Sequence, residues 1–381
     1  MTPVPLSLYI HFPWCLHKCP YCDFNSHKAP EILPEDRYIQ ALLRDVEQEL
    51  PAIWGRPLHT VFIGGGTPSL ISAEGMHTLM RGLNRLLPMR PNMEITLEAN
   101  PGTFEQQRFD AYRQAGITRL SIGIQSYDGK QLQKLERVHD AKEAHRAAKI
   151  AKQAGFDNFN LDLMFGLPEQ TMEQALDDLQ LAIEHQPAHL SWYQLTLEPN
   201  TLFHHQPPNL PDSDLIADIQ DRGIELLQDR NYQQYEVSAY AQPGKECMHN
   251  RNYWEFGDYM GIGAGAHGKI TTGERIVRTM KPKHPEAYMH SCLEGASAAV
   301  LATNHELSSK DKCFEFMLNG LRLKNGIRKE LFSQRAFLSL DYLGIGVDKA
   351  KSKGLLVETE DSFKLTPHGW SFLNEVVEYF L

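Results

Sequence analysis

Cys15, Cys19 and Cys22 lie in the run Pro13-Trp14-Cys15-Leu16-His17-Lys18-Cys19-Pro20-Tyr21-Cys22-Asp23-Phe24. This C-x3-C-x2-C spacing gathers three thiolates in one tight loop, directly after a strand-like segment, Leu6 to Phe12. Three ligands are one short of a closed tetrahedral zinc site. Thiolate is also the ligand of iron–sulfur clusters, and a cubane held by three cysteines keeps one iron open to a substrate. On the loop alone, a zinc knuckle completed by His17 or His27 stays open, as do three ordinary buried cysteines.

A second motif, Gly64-Gly65-Gly66-Thr67-Pro68, ends the next strand-like run. Glycine lets a backbone approach a ligand closely. A glycine triplet alone is a weak signal, because such turns are common. Taken together, the two motifs resemble the radical S-adenosylmethionine superfamily. The resemblance implies a 4Fe-4S cluster on Cys15, Cys19 and Cys22, its open iron chelated by the amino and carboxylate groups of S-adenosyl-L-methionine.

These residues need elements to position them. Strand-like runs at Leu6 to Phe12, Thr60 to Gly66, Glu94 to Asn100, Arg119 to Ser126, Asn158 to Pro168 and Leu190 to Pro199 alternate with amphipathic stretches. The latter are Glu35 to Leu50, Glu74 to Leu87, Phe104 to Ala115, Ala141 to Ala154 and Met172 to His185. Such alternation predicts an α/β fold with a parallel, helix-covered sheet, here a partial (β/α)6 barrel. Ligand sites in such barrels form at the C-terminal strand ends, where both motifs, Glu98, Gln125 and Asp162 fall.

After Asp212 the alternation fades into a helix to Asp229, a strand-like Tyr232 to Tyr240 and a loop-rich Gly244 to Lys269. From Asn304, helices and a hairpin turned at Glu360-Asp361 predict a C-terminal α+β, winged-helix-like domain. We divide the chain into a core at 1–240, a connecting region at 241–303 and this terminal domain at 304–381. From Thr303 to Leu381 there are 11 Lys+Arg and 11 Asp+Glu. That net of zero lacks the basic face of a DNA reader, so the unit reads as a docking or structural lid.

The chain has 381 residues, 42% of them hydrophobic and 23% charged, as in soluble globular proteins. A formal net charge of -10 argues against nucleic acid as a partner. Six cysteines, three of them clustered, fit a reducing compartment better than a disulfide framework. No leader pattern and no run of ~18 apolar residues is present, which reads as cytoplasmic.

Six strings narrow the resemblance: LSLYIHFPWC with CPYCDFNS, FIGGGTPS, LEANPGT, SIGIQS and NLDLMFGLP. With the terminal unit they resemble the oxygen-independent coproporphyrinogen III oxidase-like (HemN-like) branch, over nearly the whole chain. That branch places S-adenosylmethionine contacts on Tyr9, Gly65, Gly66, Thr67, Glu98, Gln125, Arg137 and Asp162. It contains the oxidase and a sister group of heme chaperones. The oxidase pattern has a further cysteine where Phe24 stands, and a longer segment before its first strand. Both departures put coproporphyrinogen decarboxylation in doubt, and oxidase activity is not expected. His249-Asn250-Arg251-Asn252-Tyr253-Trp254 reads H-N-x-x-Y-W, a string similar to the chaperone group's motif. It implies heme contacts at His249, Tyr253 and Trp254; imidazole is a common ligand of heme iron. Cys247 and His267 are rival ligands. The implied activity is heme delivery to hemoproteins, with respiratory enzymes, membrane-bound ones included, among the candidate acceptors. The alternative is the oxidase. A zinc scaffold is the rival of another class, and the oligomeric state is left open.

Overall fold

Strands that are apolar on both faces need a covering layer on each side. β1 (Leu6–Phe12), β2 (Leu58–Gly65), β3 (Met89–Ala99), β4 (Arg119–Gln125), β5 (Phe159–Phe165) and β6 (His189–Gln194) are of this kind. All seven residues of β4 are buried. The computed structural model describes residues 3–53, 55–101, 105–295 and 300–381, and no side chain at 105–107. Phe104, the expected start of the third helix, lies outside the described residues, as do Gly102 and Thr103 of LEANPGT.

Helices α1 (Glu35–Ile53), α2 (Ala73–Leu86), α3 (Glu105–Ala115), α4 (Ala141–Gln153), α5 (Met172–Glu184) and α6 (Ser213–Asp229) follow the six strands in turn. Local chemistry starts several of them. Ser72 accepts from Gly75 N at α2, Asp140 and Glu143 form a capping box at α4, and Thr171 and Gln174 do so at α5. The strands lie parallel in the order β1-β2-β3-β4-β5-β6. Their C-terminal ends therefore share one rim.

The sheet extends beyond these six. Tyr232 to Tyr240, read as one strand, is a hairpin of β7 (Gln233–Glu236) and β8 (Ala239–Ala241), and β8 runs antiparallel to β6. Glu236 Oε1 accepts from Ser238 N and Oγ at 2.9 and 3.1 Å, folding the chain back on itself. Gly244 to Lys269, expected to be loop-rich, holds α7 (Met248–Trp254), β9 (Asp258–Ile262) and the start of β10 (His267–Thr272). The strand character of β9 comes from a distant partner: it pairs in parallel with β1, Leu6 to Ile10 against Asp258 to Ile262. β10, β11 (Arg275–Met280) and β12 (Thr303–Glu306) continue antiparallel, making a 12-stranded sheet. Helix α8 (Pro285–Leu293) joins β11 to β12.

The C-terminal unit starts with α9 (Ser309–Gly320) and packs its helices on a three-stranded antiparallel sheet: Ile327–Arg328, Ser362–Leu365 and Leu356–Glu358. Its apolar core includes Phe256 and Ile276 from the preceding region. Arg322 meets Glu236 at 3.2 Å, and Lys324 N donates to Tyr235 O at 2.9 Å.

Candidate functional site

Residues 13–29 form a loop over the rim. His27 N donates to Pro13 O at 2.7 Å and Ala29 N to Cys15 O at 2.8 Å. The Asn25 side chain donates to Ala264 O and Lys283 O, both at 2.9 Å, tying the loop to the far half of the chain. Cys15, Cys19 and Cys22 are free thiols and line one cavity of about 790 Å3. Among the described residues, no three His, Cys, Asp or Glu side chains could share a single metal ion. Of the two histidines offered for a zinc knuckle, His17 Nε2 pairs with Glu136 at 3.1 Å, while His27 packs on His284 and groups with no three-ligand set. The donor set fits a cluster larger than one ion, with three thiolates and no fourth protein ligand. Burial pushes the Cys15 and Cys22 thiols up, so loading such a cluster releases protons.

The glycine turn is packed hard against this loop. A side chain on Gly66 would meet Trp14 O at 2.5 Å, and Gly65 has φ +117. Its N–H groups are spent within the protein. Gly65 N donates to Glu98 Oε2 at 2.9 Å, Gly66 N to Phe12 O at 2.7 Å and Thr67 N to Trp14 O at 2.8 Å. These glycines thus serve the approach of two backbones, a role beyond the ligand contact expected of them.

Glu98, Gln125, Arg137 and Asp162 line the same cavity. Burial, then the neighbouring Asp162, pushes the Glu98 carboxyl up to about 8. Asp162 is raised by burial while Asn160 and Ser121 donate to it at 2.8 and 3.0 Å. Gln125 has φ +62, where a non-glycine residue is strained, and its Oε1 is buried without a partner. Arg137 donates to Asn100 Oδ1 at 2.8 Å, Gly123 O at 3.0 Å and Cys19 Sγ at 3.5 Å. It meets no protein carboxylate among the described residues, and its Nε is unpartnered. A buried cation and an orphaned amide suit a zwitterionic ligand bearing hydroxyls. Asn100, which sequence reasoning missed, bridges Thr67 Oγ1 and Arg137; its signal was its place at a strand end, beside Glu98.

A second, larger cleft of about 1240 Å3 opens beside the first, and Cys22, Phe24, Gly65 and Glu98 line both. Tyr9 belongs to this cleft, its hydroxyl 2.9 Å from His11 Nδ1. Tyr253 and Trp254 line it too. His249 does not. It is 1% exposed, Nδ1 lies 2.8 Å from Thr60 Oγ1 and Nε2 lies 3.0 Å from the Tyr253 hydroxyl. Burial, with Arg119 and His59 nearby, lowers it to about 3, so it is a neutral interior group. α7 turns this ring into the N-terminal end of the barrel, so the structure places His249 apart from the cleft that Tyr253 and Trp254 line. Cys247 is buried there as well, beside Glu94 at 3.5 Å, with its thiol pushed up to about 12 by burial.

Fold and rim together define a radical S-adenosylmethionine fold. The family described as the Radical SAM superfamily matches residues 9–182, and that described as the HemN C-terminal domain matches 307–372. The structure titled "Coproporphyrinogen III oxidase (HemN) from Escherichia coli is a Radical SAM enzyme" superposes with a TM-score of 0.84. It covers 99% of this chain and 90% of that one at 24% identity, a likeness of fold. The Heme chaperone HemW of Escherichia coli (strain K12) is 50% identical over 99% of this chain and 98% of its own length. That of Haemophilus influenzae is also 50% identical, over 99% and 98%, and that of Bacillus subtilis is 35% identical over 98% and 99%. The chain belongs to the heme chaperone HemW family of the radical SAM superfamily.

Proposed function

We infer that this protein binds heme and delivers it to acceptor hemoproteins in the cytoplasm, with a 4Fe-4S cluster and S-adenosylmethionine resident at the rim. The observation that carries the reading is 50% identity to named heme chaperones across the full length of both chains. Cys15, Cys19 and Cys22 would hold the cluster. Arg137 would pair with the methionyl carboxylate, Glu98 and the Gly65–Thr67 turn would receive the ammonium, and Gln125 and Asp162 would meet ribose hydroxyls. Tyr9 would close the cavity on its cleft side. When bound, the cluster and S-adenosylmethionine supply redox chemistry; the residues named here bind and orient. No described helix is long and apolar enough to cross a membrane.

The oxidase reading is favoured by the fold alone. Against it, Phe24 stands 57% exposed between both cavities, where the oxidase pattern has a cysteine. Anaerobic reconstitution followed by heme titration, and then transfer to an apo-hemoprotein, tests the proposal. We expect stoichiometric heme, transfer, and no protoporphyrinogen from coproporphyrinogen III beside a competent oxidase control. Turnover matching that control would make this chain the oxidase.

A further inference from the structure

The larger cleft has a lining of two kinds. Tyr253, Trp254, Phe314 and Leu318 give it apolar and aromatic surface. His267, Arg278, Lys283 and His305 line it as well, with the carboxylates Asp23, Asp311 and Glu315 among them. At about 1240 Å3 it exceeds the ~300–1,000 Å3 of ordinary small-molecule sites. Its occupant should be large, flat on one side and anionic at an edge.

Strand register explains the polar lining. In the β10–β11 hairpin, Lys269 stands opposite Arg278 and His267 opposite Met280. His267, Lys269 and Arg278 therefore share one face, with His267 and Arg278 diagonal neighbours ~7–8 Å apart at Cα. Lys269 is spent on Asp258 at 3.1 Å. Arg278 reaches the Tyr259 hydroxyl, and its Nε lies 3.5 Å from Glu315. Lys283 makes no ion pair and His267 no side-chain hydrogen bond among the described residues, and both are exposed. His267 thus has the open ring that His249 lacks.

We propose that heme lies in this cleft with a ring nitrogen of His267 on the iron, its face against Tyr253 and Trp254, and its propionates on Arg278 and Lys283. This rests on the chaperone reading. The neutral imidazole donates its lone pair to iron, with no net proton or electron transfer. Burial, then Arg278 and Lys283, lowers His267 from its ordinary value, which keeps that lone pair free. His249 acts through Tyr253, whose hydroxyl it holds.

The test is hemin titration of the full-length, reconstituted protein, read by Soret spectrum and affinity, with hemin dimethyl ester as the probe of carboxylate recognition. His267→Ala should shift the Soret band and weaken binding roughly tenfold or more. Arg278→Gln and Lys283→Gln should weaken hemin several-fold each yet leave the ester unchanged. Wild-type protein should bind the ester less tightly than hemin, a comparison that needs no variant to fold. Equal affinity for ester and hemin overturns the carboxylate anchors. A wild-type spectrum and affinity in His267→Ala, or their loss in His305→Ala instead, overturns the iron ligand. Wild-type protein that binds no hemin overturns the chaperone reading itself, and this inference with it.

Discussion

The two ends of the barrel hold the same kinds of residue in opposite states. At the C-terminal rim, among the described residues, three thiols are free, Arg137 faces no carboxylate, and Gln125 Oε1 has no partner. At the N-terminal end, several polar groups complete one another, although Arg119 Nε and Thr96 Oγ1 are buried without a partner. Thr60 Oγ1 joins Ser7 Oγ and His249 Nδ1, both at 2.8 Å. His189 joins Asn160 at 2.7 Å and the Tyr235 hydroxyl at 2.8 Å. Glu94 accepts from the N–H groups of Met248 and His249 at 3.2 and 3.0 Å. A polar group whose needs are met by the protein stabilises it; a cluster left wanting in one cavity, as at the rim, is where a ligand could complete it. Residue type does not separate the two cases. Partners do.

The sharpest break in this comparison would come at the thiols. Replacing Cys15, Cys19 and Cys22 together with Ala should take the reconstituted protein from roughly four irons per chain to none. Thermal unfolding of the unloaded protein should barely change. Iron and sulfide assays decide it, and stoichiometric iron in the triple variant would remove the rim from the argument.

Arg137→Met should weaken S-adenosylmethionine about ten- to a hundredfold, the value of a charge-assisted pair, in equilibrium dialysis. Unchanged affinity would mean that the carboxylate sits elsewhere.

The opposite end should answer in stability. His249→Ala removes the partner of the Tyr253 hydroxyl, leaves Thr60 with Ser7 alone and opens a hole in the interior, and should cost about 1–3 kcal/mol in urea unfolding. An unchanged midpoint with lost hemin binding would reverse the assignment of this histidine.

The smallest effect is a slope. Glu98 is raised from 4.5 to about 8 by burial, so across that window the folded chain keeps a proton the unfolded chain has released. Its contribution to stability therefore falls as pH rises from about 4.5 to about 8, by at most ~1.4 kcal/mol per pH unit, and is flat above. Glu98→Gln should remove that decline from the unloaded protein. Parallel melting curves for the two proteins at pH 6 and 8 would show that the carboxyl is not perturbed.

Much of the rim was legible in the sequence because its signals are local. Cysteine spacing, a glycine triplet and polar residues ending apolar runs all lie within single elements. The left-handed backbone of Gln125 has no such signal; it follows a register shift between β4 and β5 at Gly123 and Gln125. The burial of His249 was hidden for the converse reason. Its short string is distinctive, but its fate depends on Thr60, 189 positions away. β9 was invisible in the same way, since Asp258–Ile262 becomes a strand between β1, far off in the chain, and β10.

The Asn25 staple reaches across 239 and 258 positions to Ala264 and Lys283. A chain growing from its N-terminus makes the three cysteines among its first residues but cannot fasten their loop until that late stretch has emerged from the ribosome. β1, which leads into the loop, likewise waits for β9 to cover its edge. Through most of synthesis the thiols are tethered but not aimed. A cluster held by these thiols would therefore be assembled at the end of folding, and a truncated chain ending before Lys283 should be made yet remain colourless.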